Sequence, residues 1–372
     1  MNKDKLLIVG AFPSKDKQIY GGILKSCRII LDSPLAENFH LITIDSSQLS
    51  NPAPNILIRS FFALKRIILL VYKLIFARPK VALIFTSDGF SAIEKGIMCL
   101  ICSFFGCKSM IFPRAGNLII QTKKSKLMML LVRFLYRKAS IFLCQGDNWK
   151  NFAIEHIGFE NKNVKIINNW TATKEHINLG IKRNYNKNEE IKKLLFVGWL
   201  EEFKGVFELL ESSKELIEEG YQFHLSFAGD GNGMLKAKQY IENNNLNDIV
   251  DLYGWVDDSR LLGLLEQNDI FILPSWAEGL PNAMIEAMSS GLSVIVSKVG
   301  AIPNFIKNNE NGLLVDSKDK PSLKKAIKNL LDDSKLQKKL ALNGHEFAKR
   351  KFSSQIGIQR LLEVIEEIID KK

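Results

Sequence analysis

The sequence is poor in cysteine and has no long apolar run. Its 372 residues include five cysteines, an odd number, and ten prolines. With 46% hydrophobic and 24% charged residues, the chain is neither a small disulfide-stapled scaffold, nor disordered, nor collagen-like. Cys99 and Cys102 form a C-x-x-C pair, but their surroundings are apolar and no second pair follows. We therefore expect reduced thiols in a core rather than a zinc or redox site.

Patterns typical of membrane spans and exported proteins are also missing. A spanning helix needs about 20 consecutive apolar residues, and charges interrupt the apolar run that begins at Phe61 after four residues. Lys3 and Lys5 lead into only a short apolar strand without a cleavage-like end. The sequence thus predicts a cytoplasmic protein that can associate with the inner face of the cytoplasmic membrane. No D-x-D or histidine cluster is suitably placed, so no metal site is predicted.

Positive charge is in excess, and only in the first half of the chain. The formal net charge is +11. Residues 1–188 hold 28 Lys and Arg against 11 Asp and Glu, a net of +17, whereas residues 189–372 have a net of −6. This asymmetry predicts an anionic partner for the first half. On charge alone, that partner could be nucleic acid, an anionic membrane or a phosphorylated substrate.

Two stretches of the basic half favour an anionic membrane surface. Residues 61–77 form an amphipathic pattern in which Lys65, Arg66 and Lys73 share an arc of about 100°. Residues Lys123–Lys138 mix Leu, Met and Phe with six cations. Basic amphipathic helices suit such a surface, although each stretch alone fits equally well a core helix with cations at its solvent edge. Because these cations lie among aliphatic residues, nucleic acid is not expected as a partner.

Short apolar runs alternate with helical patterns along the whole chain. This alternation predicts an α/β protein with two doubly wound, Rossmann-like domains. The polar stretch Lys182–Glu190 is the predicted linker. We predict domains at residues 1–185 and 190–352, and a C-terminal helix at 353–372 that packs back on the first domain. The cleft between two such domains is commonly faced by the C-terminal ends of their strands.

The most informative stretch is residues 274–303, PSWAEGLPNAMIEAMSSGLSVIVSKVGAIP. It leaves a strand, turns, and enters a helix whose first turn accommodates Pro281. There the N–H groups of Gly279, Leu280 and Asn282 would be free to bind hydroxyls or phosphate oxygens. Glu278 and Glu286, eight residues apart, could both face a ligand over the helix N-terminus, and carboxylates accept hydrogen bonds from vicinal diols. From the spacing alone, a surface turn and an unrelated glutamate remain the alternative.

The motif E-G-L-P-N-A-M-I-E, followed by V-G-A-I-P, resembles the signature of the retaining GT-B glycosyltransferases of family 4. The resemblance implies two Rossmann-like domains facing each other across a cleft, the first binding the acceptor and the second the nucleotide sugar. It implies that Glu278 holds hydroxyls of the donor sugar and Glu286 the ribose. Phe196–Gly205 resembles the family's strand-turn-helix, whose lysine, here Lys204, grips the donor pyrophosphate. A lysine beside a helix N-terminus is also a physically sound phosphate site.

Three further segments resemble the family. Ala228–Gly231 and Tyr253–Val256 are similar to its second and third strand ends, which implies that Val256 flanks the nucleobase. Tyr20-Gly21-Gly22 is similar to its N-terminal glycine loop, which implies that Gly22 approaches the donor phosphates.

Two residues depart from the family pattern. Trp199 stands where the family usually has an arginine that binds the leaving pyrophosphate. Arg114 falls where many relatives have a histidine, and it is our candidate for the missing cation, with a plain surface arginine as the alternative. Asp88, Gly89 and Asn117 lie at neighbouring strand ends and rank lower.

The expected function is therefore transfer of a hexosyl group, with retention, from a nucleotide sugar to a hydroxyl of a saccharide acceptor. Lys204, Glu278 and Arg114 are the expected catalytic residues, no cofactor or metal is needed, and a UDP-sugar is the expected donor. The lipophilic basic half suggests a lipid-linked acceptor in surface polysaccharide or lipopolysaccharide assembly. The alternatives are a catalytically weak sugar-nucleotide-binding subunit, a phosphorylase or sucrose-synthase-like enzyme of the same architecture, and a nucleic-acid-binding protein.

Overall fold

A computed structural model describes residues 3–12, 21–47, 54–185 and 191–370. Two units divide the chain: one comprises residues 1–170 with 354–372, and the other residues 171–353. Each unit contains a six-stranded, wholly parallel sheet. Tyr20 of the glycine loop and residues 186–190 of the predicted linker lie outside the described residues.

The first unit has the strand order β2-β1-β3-β4-β5-β6. Helices cover both faces of this sheet, which is why β3 is buried along its whole length. A short π-helical turn, Phe152–Ile157, continues its seventh helix. The elements are β1 (Lys5–Gly10), α1 (Gly22–Leu31), α2 (Pro34–Asn38), β2 (His40–Asp45), α3 (Ile56–Phe76), β3 (Val81–Thr86), α4 (Gly89–Phe104), β4 (Lys108–Pro113), α5 (Asn117–Lys124), α6 (Lys126–Tyr136), β5 (Ile141–Cys144), α7 (Asp147–Asn151) and β6 (Val164–Ile166).

The second unit has the strand order β12-β11-β10-β7-β8-β9. Its elements are α8 (Lys174–Lys182), β7 (Lys192–Val197), α9 (Val206–Glu218), β8 (Phe223–Ala228), α10 (Met234–Asn243), β9 (Val250–Leu252), α11 (Asp258–Gln267), β10 (Ile270–Leu273), α12 (Asn282–Ser289), β11 (Ser293–Ser297), β12 (Leu313–Val315), α13 (Lys320–Asp332) and α14 (Ser334–Phe352).

The last helix, α15 (Ser354–Asp370), belongs to the first unit. Its Ile358, Leu361 and Ile365 are buried in one core with Cys27 and Trp170. Gly357 allows the close approach, because a Cβ there would lie 2.5 Å from the Cβ of Trp170.

The alternation of strands and helices predicted from the sequence is confirmed for the long elements. The residue pattern predicts, among other segments, helices at Gly22–Leu31 and Asp258–Gln267 and a strand at Ser293–Ser297, and the structure has these elements with the same bounds. The sequence pattern missed β6 and β12, which have three residues each and therefore too little alternation to stand out. It also missed α2, α5 and α8.

All five cysteines are free and buried, as expected from their apolar surroundings. Burial raises the pKa of the Cys99 thiol to about 12, so this thiol is protonated at neutral pH. Among the described residues, no helix is both long enough and apolar enough to cross a membrane.

One predicted surface cation is not at the surface. Arg66 of α3 forms a two-bond ion pair with the buried carboxylate of Glu94, with N–O distances of 2.6 and 3.0 Å. The expectation that Arg66 shares an exposed basic face with Lys65 and Lys73 is therefore wrong. Helical periodicity placed the residue near the edge of the polar arc, but it could not reveal the buried acid on α4.

The outward face of α3 is instead largely apolar. Lys65 is exposed and Lys73 half-buried, and the exposed large apolar side chains on this helix recur every three or four residues. They include Leu57, Phe61, Leu64, Ile68, Tyr72 and Phe76. On α6, Leu127, Leu130 and Phe134 are exposed in the same way. We call these side chains the apolar helix faces.

Candidate functional site

The candidate site lies at the carboxyl edge of the second sheet. There the loops after three neighbouring strands are hydrogen-bonded to one another. The N–H of Gly198 donates to Ala228 O at 3.0 Å, and the N–H of Gly229 donates to Gly254 O at 2.8 Å. Gly229 has φ 149°, and a Cβ there would lie 1.8 Å from Gly198 O. The family-like loop ends after β7, β8 and β9 are thus in direct contact, as the strand order requires.

A second close contact positions Lys204. The residue ends a short 3₁₀ turn, Glu202–Lys204, and Gly205 follows with φ 75° as the N-cap residue of α9. A Cβ at Gly205 would lie 2.2 Å from Pro274 O, so only glycine fits this turn without strain. The N–H of Trp276 donates to Phe203 O at 2.8 Å. The turn that carries Lys204 therefore lies against the loop that carries Glu278.

The two side chains meet in an ion pair. Lys204 Nζ lies 2.6 Å from Glu278 Oε1, and the two side chains are 16% and 9% exposed. The Ser275 hydroxyl donates to the same carboxylate oxygen at 2.8 Å. The ammonium and carboxylate predicted to hold a donor pyrophosphate and sugar thus converge on one point, although 74 residues separate them in the sequence.

The loop that carries Glu278 is also held by backbone contacts. The N–H of Ala301 donates to Gly279 O at 2.8 Å. Gly300 has φ 59°, and a Cβ there would lie 2.1 Å from Glu278 O. The glycine of the V-G-A segment therefore has a structural role, because it allows the loop after β11 to pack against the backbone of Glu278 and Gly279.

Helix α12 follows the loop with Pro281 as its N-cap residue. Leu280 and Pro281 are buried, whereas Gly279 and Asn282 are half-buried. Glu286 lies within the helix and is buried. Val256 is half-buried in the loop before α11, whose N-cap Asp257 accepts a hydrogen bond from Arg260 N at 2.8 Å.

Trp199, which replaces the family's arginine, packs edge-to-face against Trp255 with ring centroids 4.8 Å apart. An aromatic pair of this geometry contributes packing but no charge. Among the candidate donor residues of the second unit, Lys204 is therefore the cation that the structure places beside Glu278.

Sequence reasoning missed several neighbours of this pair. Ser275 contacts Glu278, and Trp276 donates from Nε1 to Glu208 Oε1 at 2.7 Å. Lys318 Nζ lies 3.9 Å from the centroid of the Trp276 ring, a cation–π contact. Ser275 and Trp276 lie within the stretch 274–303 and shortly before Glu278, so the sequence could have indicated them, whereas Glu208 and Lys318 carry no local signal.

Two predicted residues lie in the first unit. Gly22 begins α1, preceded by Gly21 with φ 155°. Arg114 donates from Nη2 to Ser26 Oγ at 3.0 Å, and its guanidinium carbon lies 4.8 Å from the Phe112 ring centroid and 5.4 Å from that of Trp170. Nη1 has no hydrogen-bond partner among the described residues. Burial lowers the pKa of Arg114 to about 10, so the side chain is still a cation at neutral pH.

Comparison with known proteins agrees with this architecture. Residues 180–347 match the family model of glycosyl transferases group 1. Over 182 residues the chain is 29% identical to the amylovoran biosynthesis glycosyltransferase AmsK of Erwinia amylovora, with 47% of this chain and 45% of that protein covered. The chain spans about half the length of the curated relatives it matches first.

Solved structures match over nearly the whole chain. A sucrose-phosphate synthase from Thermosynechococcus elongatus has a TM-score of 0.80 at 15% identity, with 100% of both chains covered. HepE of Anabaena, in complex with UDP-glucose, has a TM-score of 0.72 at 16% identity, with 98% of this chain and 99% of that chain covered. At such identities the likeness shows the fold alone. The protein has the two-domain α/β fold of the GT-B glycosyltransferases, and this prediction is confirmed.

Proposed function

We propose that the protein is a retaining glycosyltransferase that moves a hexosyl group from a nucleotide sugar to a hydroxyl of a saccharide acceptor. The observation that carries this proposal is the ion pair between Lys204, in the turn before α9, and Glu278, in the loop before α12, with 2.6 Å between Nζ and Oε1. An ammonium and a carboxylate at this point match the two ends of a nucleotide-sugar donor, an anionic pyrophosphate and a polyhydroxylated ring. The match of this segment to glycosyl transferases group 1 supports the same function.

In this proposal, binding of the donor breaks the Lys204–Glu278 ion pair, and each side chain then binds a different part of the donor. Lys204 would move to the pyrophosphate, while Glu278, still held by the Ser275 hydroxyl, would accept hydrogen bonds from sugar hydroxyls. Glu286, buried on α12, would hold the ribose, and Val256 would pack beside the base. We propose a UDP-sugar as donor, and HepE, which is bound to UDP-glucose in its structure, supports that choice.

The chemical contribution of the site is stabilisation of the leaving group. As the glycosidic bond to the β-phosphate breaks, negative charge develops on the departing oxygen, and the Lys204 ammonium stabilises it. Attack from the same face lets that oxygen take the acceptor proton, so retention needs no side-chain nucleophile. Lys204 supplies the positive charge that a metal would otherwise bring, and we propose a metal-independent reaction. We also propose Arg114, in the first unit, as a catalytic residue.

The proposed acceptor is a lipid-linked saccharide in surface polysaccharide assembly. The relative AmsK, an amylovoran biosynthesis glycosyltransferase, supports this class of pathway. The apolar helix faces, with Lys65 and Lys73 on α3 and the cations of residues 123–138 around α6, support contact with an anionic membrane. Arg66 is left out of this proposed surface because it pairs with Glu94.

A thermal-shift screen tests donor binding. UDP, GDP, ADP and inorganic phosphate are added separately to the protein, and one nucleoside diphosphate should raise the melting temperature selectively. A ligand at 100 times its Kd stabilises the folded state by about 2.7 kcal/mol. If no nucleotide shifts the melting temperature more than inorganic phosphate does, the donor-binding proposal is wrong.

Trp199 favours a second candidate, a catalytically weak sugar-nucleotide-binding subunit. Its packing against Trp255 leaves the leaving group without the family's arginine. Donor hydrolysis separates the two candidates. Nucleotide binding accompanied by slow release of free sugar supports the transferase, whereas binding without any turnover supports the subunit.

A further inference from the structure

The first unit contains a polar cavity whose wall includes Gly22, the residue predicted to approach the donor phosphates, but none of the candidate donor residues of the second unit. Its volume is about 310 Å³, and all of its lining residues belong to this unit. They come from separate segments: Gly22 at the start of α1, Ser46 and Ser47 after β2, Ser87 after β3, and the facing sides of α3 and α4. The cavity thus lies at the carboxyl edge of the first sheet, where open α/β sheets bind their ligands.

Positive charge dominates the wall of this cavity. Arg59, Arg66 and Lys95 line it together with one carboxylate, that of Glu94. Glu94 and Lys95 are each 3% exposed, and Lys95 Nζ lies 2.9 Å from Glu94 Oε2. Since Arg66 binds the same carboxylate, two cations share one acid.

Arg59 adds a third cation that none of the described acids neutralises. Its guanidinium carbon lies 5.2 Å from the Phe90 ring centroid, and no described carboxylate forms an ion pair with it. A second acid, Asp45, acts on Lys95 through its charge, and its carboxylate accepts hydrogen bonds from Phe12 N and the Ser47 hydroxyl. The wall is therefore arranged for a ligand that brings its own negative charge.

The remaining lining residues suit a sugar. Phe62 and Phe90 are half-buried rings in the wall, and such rings pack against the C–H face of a pyranose. The hydroxyls of Ser46, Ser47 and Ser91 also line the cavity and can exchange hydrogen bonds with sugar hydroxyls. A few polar groups among aromatic side chains in a concave pocket are typical of a small-molecule site.

We infer that this cavity binds the acceptor saccharide and that the bound acceptor carries an oxyanion, a carboxylate or a phosphate, held by Arg59 and Lys95. The inference rests on the proposed transferase function, whose acceptor it specifies. No described residue forms an ion pair with the planar guanidinium fork of Arg59, which can bind an oxyanion through two parallel hydrogen bonds. Lys95 is held in the wall by Glu94 and contributes charge rather than adaptable contacts.

Binding of three probes to the full chain tests the inference: glucose, glucuronate and glucose 1-phosphate, each titrated by saturation-transfer NMR. At least one anionic sugar should bind about tenfold or more tightly than glucose, the effect expected of a charge-assisted hydrogen bond. A preference for glucuronate assigns the anion to a sugar acid, and a preference for glucose 1-phosphate assigns it to a phosphate-linked acceptor. Equal affinity for all three, or no binding of the anionic sugars, overturns the inference.

Substitutions of Arg59 test whether the anionic sugar binds in this cavity. Arg59→Gln should weaken the anionic sugar about tenfold or more and leave glucose unchanged, and Arg59→Lys should recover part of the loss. Arg360→Gln, an exposed position on α15, is the matched control. Anion affinity that is unaffected by Arg59→Gln contradicts the assignment.

The same titration in Lys204→Ala separates this cavity from the donor site. Because Lys204 belongs to the second unit, this substitution should leave anionic-sugar affinity intact. A loss in Lys204→Ala but not in Arg59→Gln would place the anion in the donor site and overturn the inference. A failed nucleotide screen with intact anionic-sugar binding would count against the donor proposal alone.

Discussion

The two units each hold charged side chains at the carboxyl edge of a parallel sheet, but they assemble them differently. In the second unit, Glu278 and Glu286 come from one continuous stretch, and Lys204 is added by a neighbouring turn. In the first unit, Arg59, Glu94 and Lys95 come from two helices, and the serines come from loops after other strands. The charged residues of the second unit can therefore be recognised in the sequence, whereas those of the first unit come together only when the chain folds.

The ion pairs of the two units also differ in how accessible they are to a ligand. The Lys204–Glu278 pair joins two side chains that are partly accessible, so a bound ligand could replace either partner. Glu94 is buried between Arg66 and Lys95, and losing it would leave two cations without their acid. We therefore expect substitution of Glu94 to lower the stability of the fold, and substitution of Lys204 or Glu278 to lower turnover.

Replacing the buried acid should have the largest effect. Glu94→Gln leaves Arg66 and Lys95 unpaired in a buried wall, which costs about 3–5 kcal/mol of folding free energy. Thermal unfolding together with hydrogen exchange in α4 measures the loss, and Glu366→Gln, exposed on α15, is the control. A melting temperature equal to that of the control would contradict the distinction between the two ion pairs.

The same variant should flatten the acid sensitivity of the first unit. Burial raises the pKa of Glu94, but the charges of Lys95 and Arg66 outweigh it and hold this pKa below its usual value. A carboxyl with a depressed pKa stabilises the fold at pH values above its unfolded pKa of about 4.3, and that stabilisation is lost as pH falls through the folded pKa. Hydrogen exchange in α4, followed from pH 7 downward, should therefore change less steeply in Glu94→Gln than in the wild type.

Removing the accessible cation should abolish most turnover without unfolding the protein. Lys204→Ala should lower transfer by about 100-fold or more, since one contact to a developing oxyanion is worth about 3 kcal/mol. Steady-state kinetics on the donor measures the change, with the exposed Lys238→Ala as control. Turnover close to the wild-type value would remove Lys204 from the mechanism.

Two glycine-to-alanine substitutions test whether the loop after β11 supports the backbone of the loop that carries Glu278. Gly300→Ala places a methyl group against the Glu278 carbonyl at φ 59°, which should cost about 1–3 kcal/mol and weaken nucleotide binding. Gly263→Ala, in α11 with open space around it, should stabilise the protein by up to about 1 kcal/mol. Thermal unfolding with and without UDP compares them, and similar effects from both would argue against a supporting role for Gly300.

The smallest effect concerns the membrane. Lys65→Glu combined with Lys73→Glu should lower cosedimentation with phosphatidylglycerol vesicles by at least about tenfold, since each of the two lysines near an anionic surface contributes about 1 kcal/mol. Lys325→Glu with Lys335→Glu makes the same charge change on exposed residues of the second unit. Equal losses in both double variants would indicate an effect of net charge rather than a docking face on α3.

Features set by neighbouring residues could be predicted from the sequence, whereas contacts between residues far apart in the chain could not. The strand and helix alternation follows from local periodicity, and the acidic motif occupies 30 residues whose order alone suggests a loop and a helix N-terminus. Arg66 shows the limit, because its place on a helical wheel gave no information about Glu94, 28 residues away. Arg114 was selected by its strand-end position, yet its guanidinium packs not only on Phe112 of the strand that it follows but also on Trp170, which is distant in the sequence.

By itself, the sequence determined the α/β class, the cation excess of the first half and the candidate donor residues, because these depend on composition, local periodicity and short motifs. Tertiary structure decided which charges meet. It paired Lys204 with Glu278, buried Arg66 against Glu94 and left the apolar helix faces exposed. The physical reason is that a side chain's charge belongs to the residue, whereas its partners and its exposure are set by whichever strands and helices the fold places next to it.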